Sequence, residues 1–346
     1  MKKRVTIKDV AKMANASVGA VSMSLNNRPG IGDKKRQKIL EIAKKAGYQP
    51  SLVAKTLVNK KSYLIGLIIK DISDQFFADL AKGVEDTAKK HGYSTILCTT
   101  DGNLKTQENY LDILCSRGID GIIISTVVAE DPHIEFLINE KIPFVCINRI
   151  PLNPCLKKKA EYIKMDNYSA GYKGIEHLWR LGHDKIAIIT GSLNASNAIE
   201  SLEGSKAALK EFGVKISKRY IKEGEYSEQQ AYSICKRLLK GKNPPTAVFA
   251  HDDNMALGAR EAILEAELKV PEDIVLMGID NIKIGALKGI ELTSISQKKY
   301  EMGSMGVKIL INKIEEKVPK MVEKVVLDAE LIIRKTCGFH MSGYTR

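Results

Sequence analysis

Residues 6–25 carry two short helical patterns separated by a turn, and this stretch constrains the fold more than any other. Thr6 can cap the first helix, and Asp9, three residues later, completes a capping-box pattern. Ser17 can cap the second helix after a two-residue turn. The residues expected to face each other across the two helices are mostly small: Val10, Ala11, Ala14, Ala20, Val21 and Leu25. Small facing residues let two helices cross closely and steeply, so the stretch predicts a helix-turn-helix.

A third helix is predicted after this pair, with Asp33 as its N-cap and Gly47 as its C-terminal stop. Its apolar stripe consists of Ile39, Ile42, Ala43 and Ala46. A turn then precedes the short apolar stretch 52–58. We therefore predict a helical headpiece over residues 1–50 and a linker over residues 51–61.

Positive charge is concentrated in the same part of the chain. Residues 1–61 hold 15 Lys and Arg but only 3 Asp and Glu, which accounts for +12 of the net charge of +13. The remaining residues are therefore nearly neutral as a group. A basic headpiece on a neutral body is typical of a module that binds nucleic acid. The alternative, a basic helical bundle that is merely solvated, does not explain why charge, helix pattern and turn coincide.

From residue 62 onward the pattern changes to alternating strands and helices. Apolar runs such as SYLIGLIIK fit strands buried on both faces, and amphipathic stretches ending in glycine fit the helices between them. A loop rich in Pro and Lys, residues 150–159, separates two such rounds. The alternation predicts parallel sheets covered by helices, arranged as two lobes with a ligand cleft at the strand ends.

Several classes of protein are disfavoured by what the sequence lacks. It has no N-terminal apolar run and no stretch of about 20 apolar residues, so we expect a cytoplasmic protein without a membrane segment. The six cysteines are scattered without a C-x-x-C pair, which favours buried free thiols over a metal site. Without a Walker A, H-E-x-x-H, G-x-S-x-G or Rossmann G-x-G-x-x-G motif, we predict no catalytic residue, no cofactor and no enzyme.

The motif TIKDVAKMANAS-x4-VS-x2-LN, followed by GYQPSLVAKTL, resembles the lac repressor family of bacterial transcription regulators. The resemblance extends through the body. It implies an α/β protein with an all-α helix-turn-helix headpiece and a core, residues 62–340, of two doubly wound parallel sheets like a type I periplasmic-binding protein. The chain would cross between the lobes three times. The first lobe would comprise residues 62–164 and 296–323, and the second residues 165–295 and 324–335.

In a helix-turn-helix the second helix lies in the major groove with its first residues at the base edges. The residues expected there are Val18, Gly19, Ser22 and Met23. They offer apolar contacts, including with thymine methyls, and one hydroxyl, whereas the family usually has polar or arginine side chains at several of these positions. The alternative for Met23 is that it packs within the headpiece or is solvated. The resemblance implies phosphate contacts for three further residues, Thr6, Ser17 and Asn26, of which the first two could instead serve only as caps.

The segment SLVAKTLV, residues 51–58, would by resemblance become a hinge helix on operator DNA. Two copies would enter the minor groove, where Leu57 would wedge between base pairs, Ala54 would allow close approach and Lys55 would add charge. The alternative for Leu57 is an ordinary core position. A helix of about eight residues is marginal in water, so it needs both a partner helix and DNA. We therefore expect a homodimer on a pseudo-palindromic operator.

The resemblance also implies an effector site between the lobes. Its residues would be Asp71, Phe77, Asn148, Arg149, Tyr226, Asp253 and Asp280. Aromatic rings combined with carboxylates and amides suit a sugar-like ligand, although helix capping is the alternative for each of the acids, Asp71, Asp253 and Asp280. Ser201 stands where the family often has an arginine, so a common ligand anchor is missing.

These observations predict a DNA-binding transcription regulator, a repressor by resemblance, controlled by a small sugar-like effector. Segments KDISDQFFADL and EGEYSEQQAY also resemble catabolite control proteins, a branch of the family that responds to a phosphorylated carrier protein. That regulator is the first alternative. A sugar-binding transport receptor is the second, although the basic headpiece and the missing signal sequence argue against it.

Overall fold

The computed structural model describes residues 5–25, 27–48, 61–215, 217–315 and 322–339. The chain separates into two compact units, Met1–Ser62 and Tyr63–Arg346. In the described residues every helix is too short or too polar to span a lipid bilayer.

The headpiece contains three helices: α1 (Ile7–Met13), α2 (Val18–Leu25) and α3 (Asp33–Lys45). The predicted capping box is confirmed, because Thr6 Oγ1 accepts from the Asp9 N–H at 3.3 Å and Asp9 Oδ2 accepts from the Thr6 N–H at 2.8 Å. Ser17 Oγ accepts from the Ala20 N–H at 3.1 Å, as expected for the cap of α2. The prediction for α3 was wrong by one residue. Gly32 is its N-cap and Asp33 lies in its first turn, where a carboxylate favours the positive end of the helix dipole.

The three headpiece helices share one small core. Val10 of α1, Val21 of α2 and Ile39 of α3 are each at most 1 % exposed and belong to one apolar cluster. Asn15, in the turn between α1 and α2, has a φ of +47°, which an asparagine tolerates better than most residues. The α1–α2 pair is therefore a helix-turn-helix whose geometry follows from small buried side chains and a tight turn.

The second unit begins with the first lobe. Its elements up to the first crossing are β1 (Leu64–Ile69), α4 (Gln75–Lys90), β2 (Ser94–Thr99), α5 (Leu104–Ser116), β3 (Gly121–Ile124), α6 (Pro132–Asn139), β4 (Phe144–Ile147), α7 (Pro154–Lys159) and β5 (Glu161–Met165). Helix α7 lies in the stretch that the sequence predicted to be a loop. Asn153 caps it by accepting from the Cys155 N–H at 2.9 Å, and Pro154 occupies the favoured first position.

The second lobe follows in the chain. Its elements are α8 (Asn167–Arg180), β6 (Ile186–Thr190), α9 (Ser196–Glu211), β7 (Ile221–Glu223), α10 (Glu228–Leu239), β8 (Ala247–Ala250), α11 (Asp253–Glu265), β9 (Val275–Asp280), a 3-10 turn (Ile284–Ala286) and β10 (Thr293–Ser296). The last elements are α12 (Lys299–Ile314), β11 (Lys324–Leu327), β12 (Glu330–Ile332) and a second 3-10 turn (Lys335–Cys337).

Each lobe is built on a six-stranded sheet. The first sheet has the order β11-β5-β4-β3-β1-β2 and the second the order β12-β10-β9-β8-β6-β7. All neighbouring strands are parallel except β10 and β12. Strands β3, β4, β6 and β8 are buried along their whole length because helices cover both faces, which explains their continuous apolar sequences. The predicted α/β fold class is confirmed.

The sheets also locate the crossings between lobes. The chain crosses after β5, between β10 and α12, and between β11 and β12. The third crossing differs from the prediction, which assigned residues 324–335 to the second lobe. Residues 324–327 belong to the first lobe, because β11 pairs in parallel with β5, Val325 lying opposite Ile163. The sequence of an edge strand with alternating exposure does not indicate which of the two sheets the strand joins.

Glycines permit very close helix pairs in both lobes. A Cβ on Gly83 of α4 would lie 2.1 Å from the Tyr300 carbonyl oxygen of α12, and one on Gly303 of α12 would lie 2.3 Å from the Leu80 carbonyl oxygen. Helices α8 and α9 cross in the same reciprocal way, through Gly171 and Gly204. These glycines therefore fix which helices can lie side by side on each sheet.

We predict that Gly83→Ala destabilises the protein by about 2 kcal/mol or more, because the methyl group must displace helix backbone. Gly285→Ala is the matched control, since its nearest contact, at 3.5 Å, is an ordinary van der Waals distance. Thermal unfolding of both variants measures the difference. Alanine normally stabilises a helix relative to glycine, so without a close α4–α12 contact Gly83→Ala would not lower the melting temperature. Equal melting temperatures for the two variants would therefore contradict that contact.

Candidate DNA-binding surface and interlobe cleft

The start of α2 forms an exposed surface on the headpiece. Ser17, Val18 and Gly19 are exposed, with Val18 at 42 %, while Ser22 and Met23 are half-buried. A Cβ on Gly19 would have only the Ser17 hydroxyl nearby, at 3.9 Å, so packing within the headpiece does not require this glycine. The surface is apolar and small, and it lets another molecule approach the helix backbone closely.

Met23 and the end of α2 contact the loop before α3. The Met23 sulfur lies 3.8 Å from where a Cβ on Gly30 would be, which supports the packing alternative for this residue. Arg36 of α3 donates to the Asn27 side chain at 2.7 Å and to the Arg28 carbonyl at 2.6 Å. This arginine, which the sequence did not single out, holds the loop after α2 against α3.

Four of the residues predicted to bind DNA lie outside the described residues: Asn26, Ala54, Lys55 and Leu57. Thr6 and Ser17 serve as helix caps, and a cap hydroxyl keeps a lone pair for a second partner. Their phosphate contacts stay predictions.

In the second unit a cleft lies between the lobes at the carboxyl ends of the strands. From the first lobe it is lined by Lys70, Asp74, Phe76, Phe77, Asn148 and Arg149. From the second lobe it is lined by Asn197, Tyr226, His251, Asp252 and Asp280, with Gln297 at the crossing before α12. Together with the open solvent at its mouth, the cleft contains about 370 Å³ that protein atoms do not fill.

Five of the eight predicted effector residues line this cleft: Phe77, Asn148, Arg149, Tyr226 and Asp280. Asp71, Ser201 and Asp253 are not among the residues that line it. The resemblance implied these three residues, and each makes a structural contact elsewhere, so their contact with a ligand stays a prediction.

Asp71 closes a turn at the end of β1. Its carboxylate accepts from the Ser73 N–H at 2.8 Å and from the Ser73 hydroxyl at 2.6 Å. These hydrogen bonds lower the pKa of the carboxyl group. The acid that reaches the cleft is Asp74, which caps α4 by accepting from the Phe76 N–H at 2.9 Å. Asp71 therefore shapes the loop that places Asp74.

Ser201 lies in the contact between α8 and α9. A Cβ on Gly171 would lie 1.9 Å from the Ser201 carbonyl oxygen, so the two backbones are nearly in contact. Gly204, one helical turn later, makes the reciprocal approach to Tyr168. Ser201 and Gly204 therefore both lie where α9 packs against α8.

Asp253 is fully buried at the start of α11. Its carboxylate accepts from the Ser294 hydroxyl at 2.7 Å and from the Ile282 N–H at 2.9 Å. Burial raises the pKa of this carboxyl group to about 7. Through its two hydrogen bonds, Asp253 joins α11 to β10 and to the segment after β9. Asp252, the residue before it, is the N-cap of α11, accepts from the Met255 N–H at 2.7 Å and lines the cleft.

Tyr226 lies close to two cations of the first lobe. Its ring centre is 5.1 Å from the Arg149 guanidinium carbon and 5.8 Å from the Lys70 nitrogen, within the range of cation–π attraction. Only a glycine at 191 leaves room for the ring, because a Cβ there would lie 2.0 Å from it. Burial raises the pKa of the Tyr226 hydroxyl well above its usual value. The ring is neutral and offers an apolar face beside positive charge.

Asp280 ends β9 with a φ of +117° and has its carboxylate in the cleft. Gln297 Nε2 donates to Asp280 Oδ1 at 2.7 Å. Burial, and then the charges of Asp252 and Asp253, raise the pKa of this carboxyl group well above its usual value. The Lys299 ammonium donates to the backbone carbonyls of Asp280 and Asn281 and not to the carboxylate.

Sequence reasoning missed seven lining residues: Lys70, Asp74, Phe76, Asn197, His251, Asp252 and Gln297. Lys70, Phe76 and Asp252 each adjoin a residue that was selected, so including the chain neighbours of the selected residues would have found them. Asn197 and Gln297 come from a helix start and a crossing segment, and only the tertiary structure brings them to the cleft.

Five buried side chains in this cleft have a polar atom without a hydrogen-bond partner among the described residues. The atoms are Asn148 Oδ1, Arg149 Nε, Asn197 Oδ1, His251 Nδ1 and Gln297 Oε1. Each of these residues is at most 9 % exposed. Because an unpartnered buried polar group costs about 1–3 kcal/mol, their concentration in one cavity indicates a binding site for a polar ligand.

The comparison with known families supports both halves of this description. Residues 6–51 match the family described as "Bacterial regulatory proteins, lacI family". Residues 62–333 match "Periplasmic binding proteins and sugar binding domain of LacI family". The chain belongs to the LacI family. The predicted resemblance is confirmed, and the chain is a transcription regulator of this family with a helix-turn-helix headpiece.

Two curated relatives cover almost the whole chain. The HTH-type transcriptional repressor PurR of Histophilus somni (strain 2336) is 34% identical over 332 residues, which span 96% of this chain and 98% of the relative. Catabolite control protein A of Priestia megaterium is 31% identical over 329 residues, or 95% and 96% of the two chains. Among solved structures, the lac repressor dimer bound to operator and the anti-inducer ONPF is 25% identical, with a TM-score of 0.86 over 97% of this chain and 99% of that one.

The raised pKa of Asp253 predicts how stability depends on pH. Its carboxyl group has a pKa of about 7 in the folded protein against an ordinary value of 3.8, so the folded state binds the proton more tightly. Stability should therefore fall as the pH rises from about 4 to about 7 and then level off. Asp253→Asn should flatten this dependence, since an amide can still accept from Ile282 and donate to Ser294. Melting temperatures of both proteins between about pH 5 and pH 8 measure this pH dependence. If Asp253→Asn leaves the slope of melting temperature against pH unchanged, the dependence does not come from Asp253.

Proposed function

We propose that this LacI-family regulator represses transcription by binding a pseudo-palindromic operator as a homodimer, and that a polar, sugar-like molecule in the interlobe cleft controls this binding. The observation that carries the proposal is the set of five unpartnered polar atoms, all on deeply buried side chains of one cleft. A cleft with buried, unpartnered polar atoms is typical of a domain that binds a ligand. The headpiece supplies the DNA-binding function.

The charge of the headpiece supports operator binding. Residues 1–61 carry +12, so binding should neutralise several phosphates and weaken steeply with salt. The exposed start of α2 presents Val18 and Gly19, which suit apolar contact with bases more than hydrogen bonding. The relatives described above include a repressor and a lac repressor dimer bound to operator. We infer from these points that the two headpieces of a dimer read two half-sites one helical turn apart.

Three further assignments belong to this proposal. The linker over residues 51–61 acts as the hinge, with Leu57 as its wedge in the minor groove. The lobes divide at the three crossings given above. The protein works in the cytoplasm and catalyses no reaction, as expected of a regulator whose relatives are transcription regulators.

We predict that Val18→Ala weakens binding to the preferred operator about tenfold and leaves binding to random DNA unchanged, because Val18 is exposed where base edges would lie. Leu40→Ala is the matched control, since Leu40 is similarly exposed, at 39 %, but belongs to α3. The operator is first selected from a random duplex library with the full-length protein. Fluorescence anisotropy then gives both affinities, and equal losses for the two variants would contradict the assignment of α2.

The cleft is tested separately by ligand-induced thermal stabilisation. A panel of neutral sugars, amino sugars and sugar phosphates should contain at least one compound that raises the melting temperature, because a ligand that binds only the folded state stabilises it. Arg149→Met should abolish this shift. Arg219→Met is the matched control, because Arg219 lies 5.8 Å over the ring of Tyr220, outside the cleft. A shift that persists in Arg149→Met would place the ligand elsewhere.

The catabolite-control alternative is favoured by one observation, the 31% identity with catabolite control protein A. In that case a phosphorylated carrier protein binds the regulator and promotes operator binding. Adding such a carrier, phosphorylated or not, to the anisotropy assay distinguishes control by a carrier protein from control by a sugar-like effector. An effect of the phosphorylated form that survives in Arg149→Met would support the alternative, because a protein partner does not depend on the cleft.

A further inference from the structure

The second lobe carries a groove between α8 and β12 that shares no lining residue with the interlobe cleft. Its apolar walls are formed by Trp179 and Leu181 on the α8 side and by Leu331, Ile333 and Phe339 on the β12 side. Trp179 is 40 % exposed and Ile333 is 38 % exposed. Contiguous exposed apolar surface of this kind marks a binding surface.

The groove is also lined by a buried polar side chain that needs a partner. His177 is 9 % exposed, and its Nε2 has no hydrogen-bond partner among the described residues. Burial lowers the pKa of His177 to about 4, so the ring is neutral and Nε2 either donates or accepts one hydrogen bond. An occupant of the groove must therefore offer a hydrogen-bonding group as well as apolar contacts.

One wall of the groove is the edge of a sheet. In the described part of the second sheet, β12 has β10 as its only neighbour. Glu330 and Leu331 point to opposite faces of β12 but both line the groove, which therefore includes the edge of the strand between them. An edge strand presents backbone N–H and C=O groups, and an extended peptide can pair with them while its side chains enter pockets alongside.

The described chain returns to this groove after β12. The 3-10 turn (Lys335–Cys337) is followed by Gly338, whose φ of +70° is a conformation that glycine adopts readily. Phe339 then lines the same groove as Leu331, and its ring stacks on His177 with 6.2 Å between the ring centres. Residues 340–346, with the sequence HMSGYTR, therefore leave the described structure from the groove itself.

The length of this segment matches the groove. On the α8 side the lining runs from Lys173 to Gly182, which is about 14 Å at the rise of a helix. Residues 340–346 can span about 23 Å when extended. The Lys173 ammonium donates to the Ala329 carbonyl at 2.8 Å, so the far end of the groove lies beside the start of β12. A segment that begins at Phe339 and follows the groove to that end runs antiparallel to β12.

The chemistry of the segment also matches the groove. Met341 and Tyr344 are apolar or aromatic and can cover the exposed walls, and every peptide group offers both a donor and an acceptor to the strand edge and to His177. Glu330, at the far end, forms no ion pair with another described residue, and an antiparallel segment brings Arg346 to that end. Covalent attachment gives the segment a millimolar effective concentration, which a separate peptide seldom reaches.

We propose that residues 340–346 bind in this groove of their own chain as an extended segment antiparallel to β12, with Met341 and Tyr344 against the apolar walls. The segment adds an edge strand to the second sheet. Because α8 follows the first crossing between the lobes and β12 follows the third, the bound segment braces the second lobe where two crossings enter it.

Fluorescence tests whether the groove is occupied, since Trp179 is the only tryptophan of the chain. Acrylamide quenching of Trp179 is measured on the full-length protein and on the full-length double variant Met341→Asp/Tyr344→Asp, whose charges do not suit the apolar walls. We expect the quenching constant to rise about twofold or more in the variant, because an added strand shields the indole ring. Leu287→Asp is the matched control, since Leu287 is 57 % exposed outside the groove, and it should leave quenching unchanged.

Hydrogen exchange tests the backbone pairing in the same proteins. The amides of Leu331–Ile333 should exchange about tenfold faster in the double variant than in the unchanged protein, because the variant opens the strand edge. Ile333→Asp changes the opposite wall of the groove and gives an independent variant with the same expected increase in quenching. Circular dichroism establishes that each variant is folded.

The remaining outcomes would overturn the proposal. Equal quenching in the unchanged protein and the double variant would show that residues 340–346 do not cover Trp179, whether the groove is open or filled by another molecule. Shielding of Trp179 that disappears on dilution would assign the groove to a segment of another copy of the chain. Unchanged exchange of Leu331–Ile333 would exclude pairing with β12.

Discussion

The desolvation of polar side chains at the carboxyl ends of two parallel sheets is the constraint on which the body of this protein depends. A parallel sheet brings the ends of its strands to one edge, and two such edges facing each other exclude water from the groups between them. Asp280 and His251 show the consequence, since burial raises the pKa of one and lowers that of the other, so that each resists being charged. A buried polar group needs a hydrogen-bond partner, and the fold supplies fewer such partners than the polar groups of the cleft require.

Glycine-mediated helix contacts make this arrangement rigid. The α4–α12 pair joins a helix early in the chain to one that follows the strands of the second lobe, so the first lobe is completed by a late segment of the chain. Gly83 and Gly303 hold this pair at backbone distance, and Gly171 and Gly204 do the same for α8 and α9. Side chains of α4, among them Phe76 and Phe77, reach the cleft from one member of such a pair. Positions in the cleft are therefore fixed by helix packing as well as by the sheet.

Features of the fold that depend on local sequence could be predicted, whereas those that depend on distant partners could not. The Thr6–Asp9 capping box and the β-α alternation involve residues a few positions apart, and both are found. Asp253 was predicted to face a ligand, but its partners, Ile282 and Ser294, lie 29 and 41 residues away and form no sequence pattern. Sequence reasoning identified the strand ends that form the cleft, but it could not determine which of two neighbouring acids faces inward.

The same segments that line the cleft also connect the lobes. Gln75, next to Asp74 in the chain, accepts from the Lys283 N–H of the second lobe at 3.0 Å, and the Lys283 ammonium lies 2.8 Å from the Asp79 carboxylate. Lys283 follows Asp280 by three residues. A ligand can shift the balance between two lobe arrangements only by its difference in affinity for them. Because the lining residues of both lobes lie so near these bridging contacts, a ligand that binds best when held from both sides stabilises the arrangement in which Gln75 and Lys283 meet.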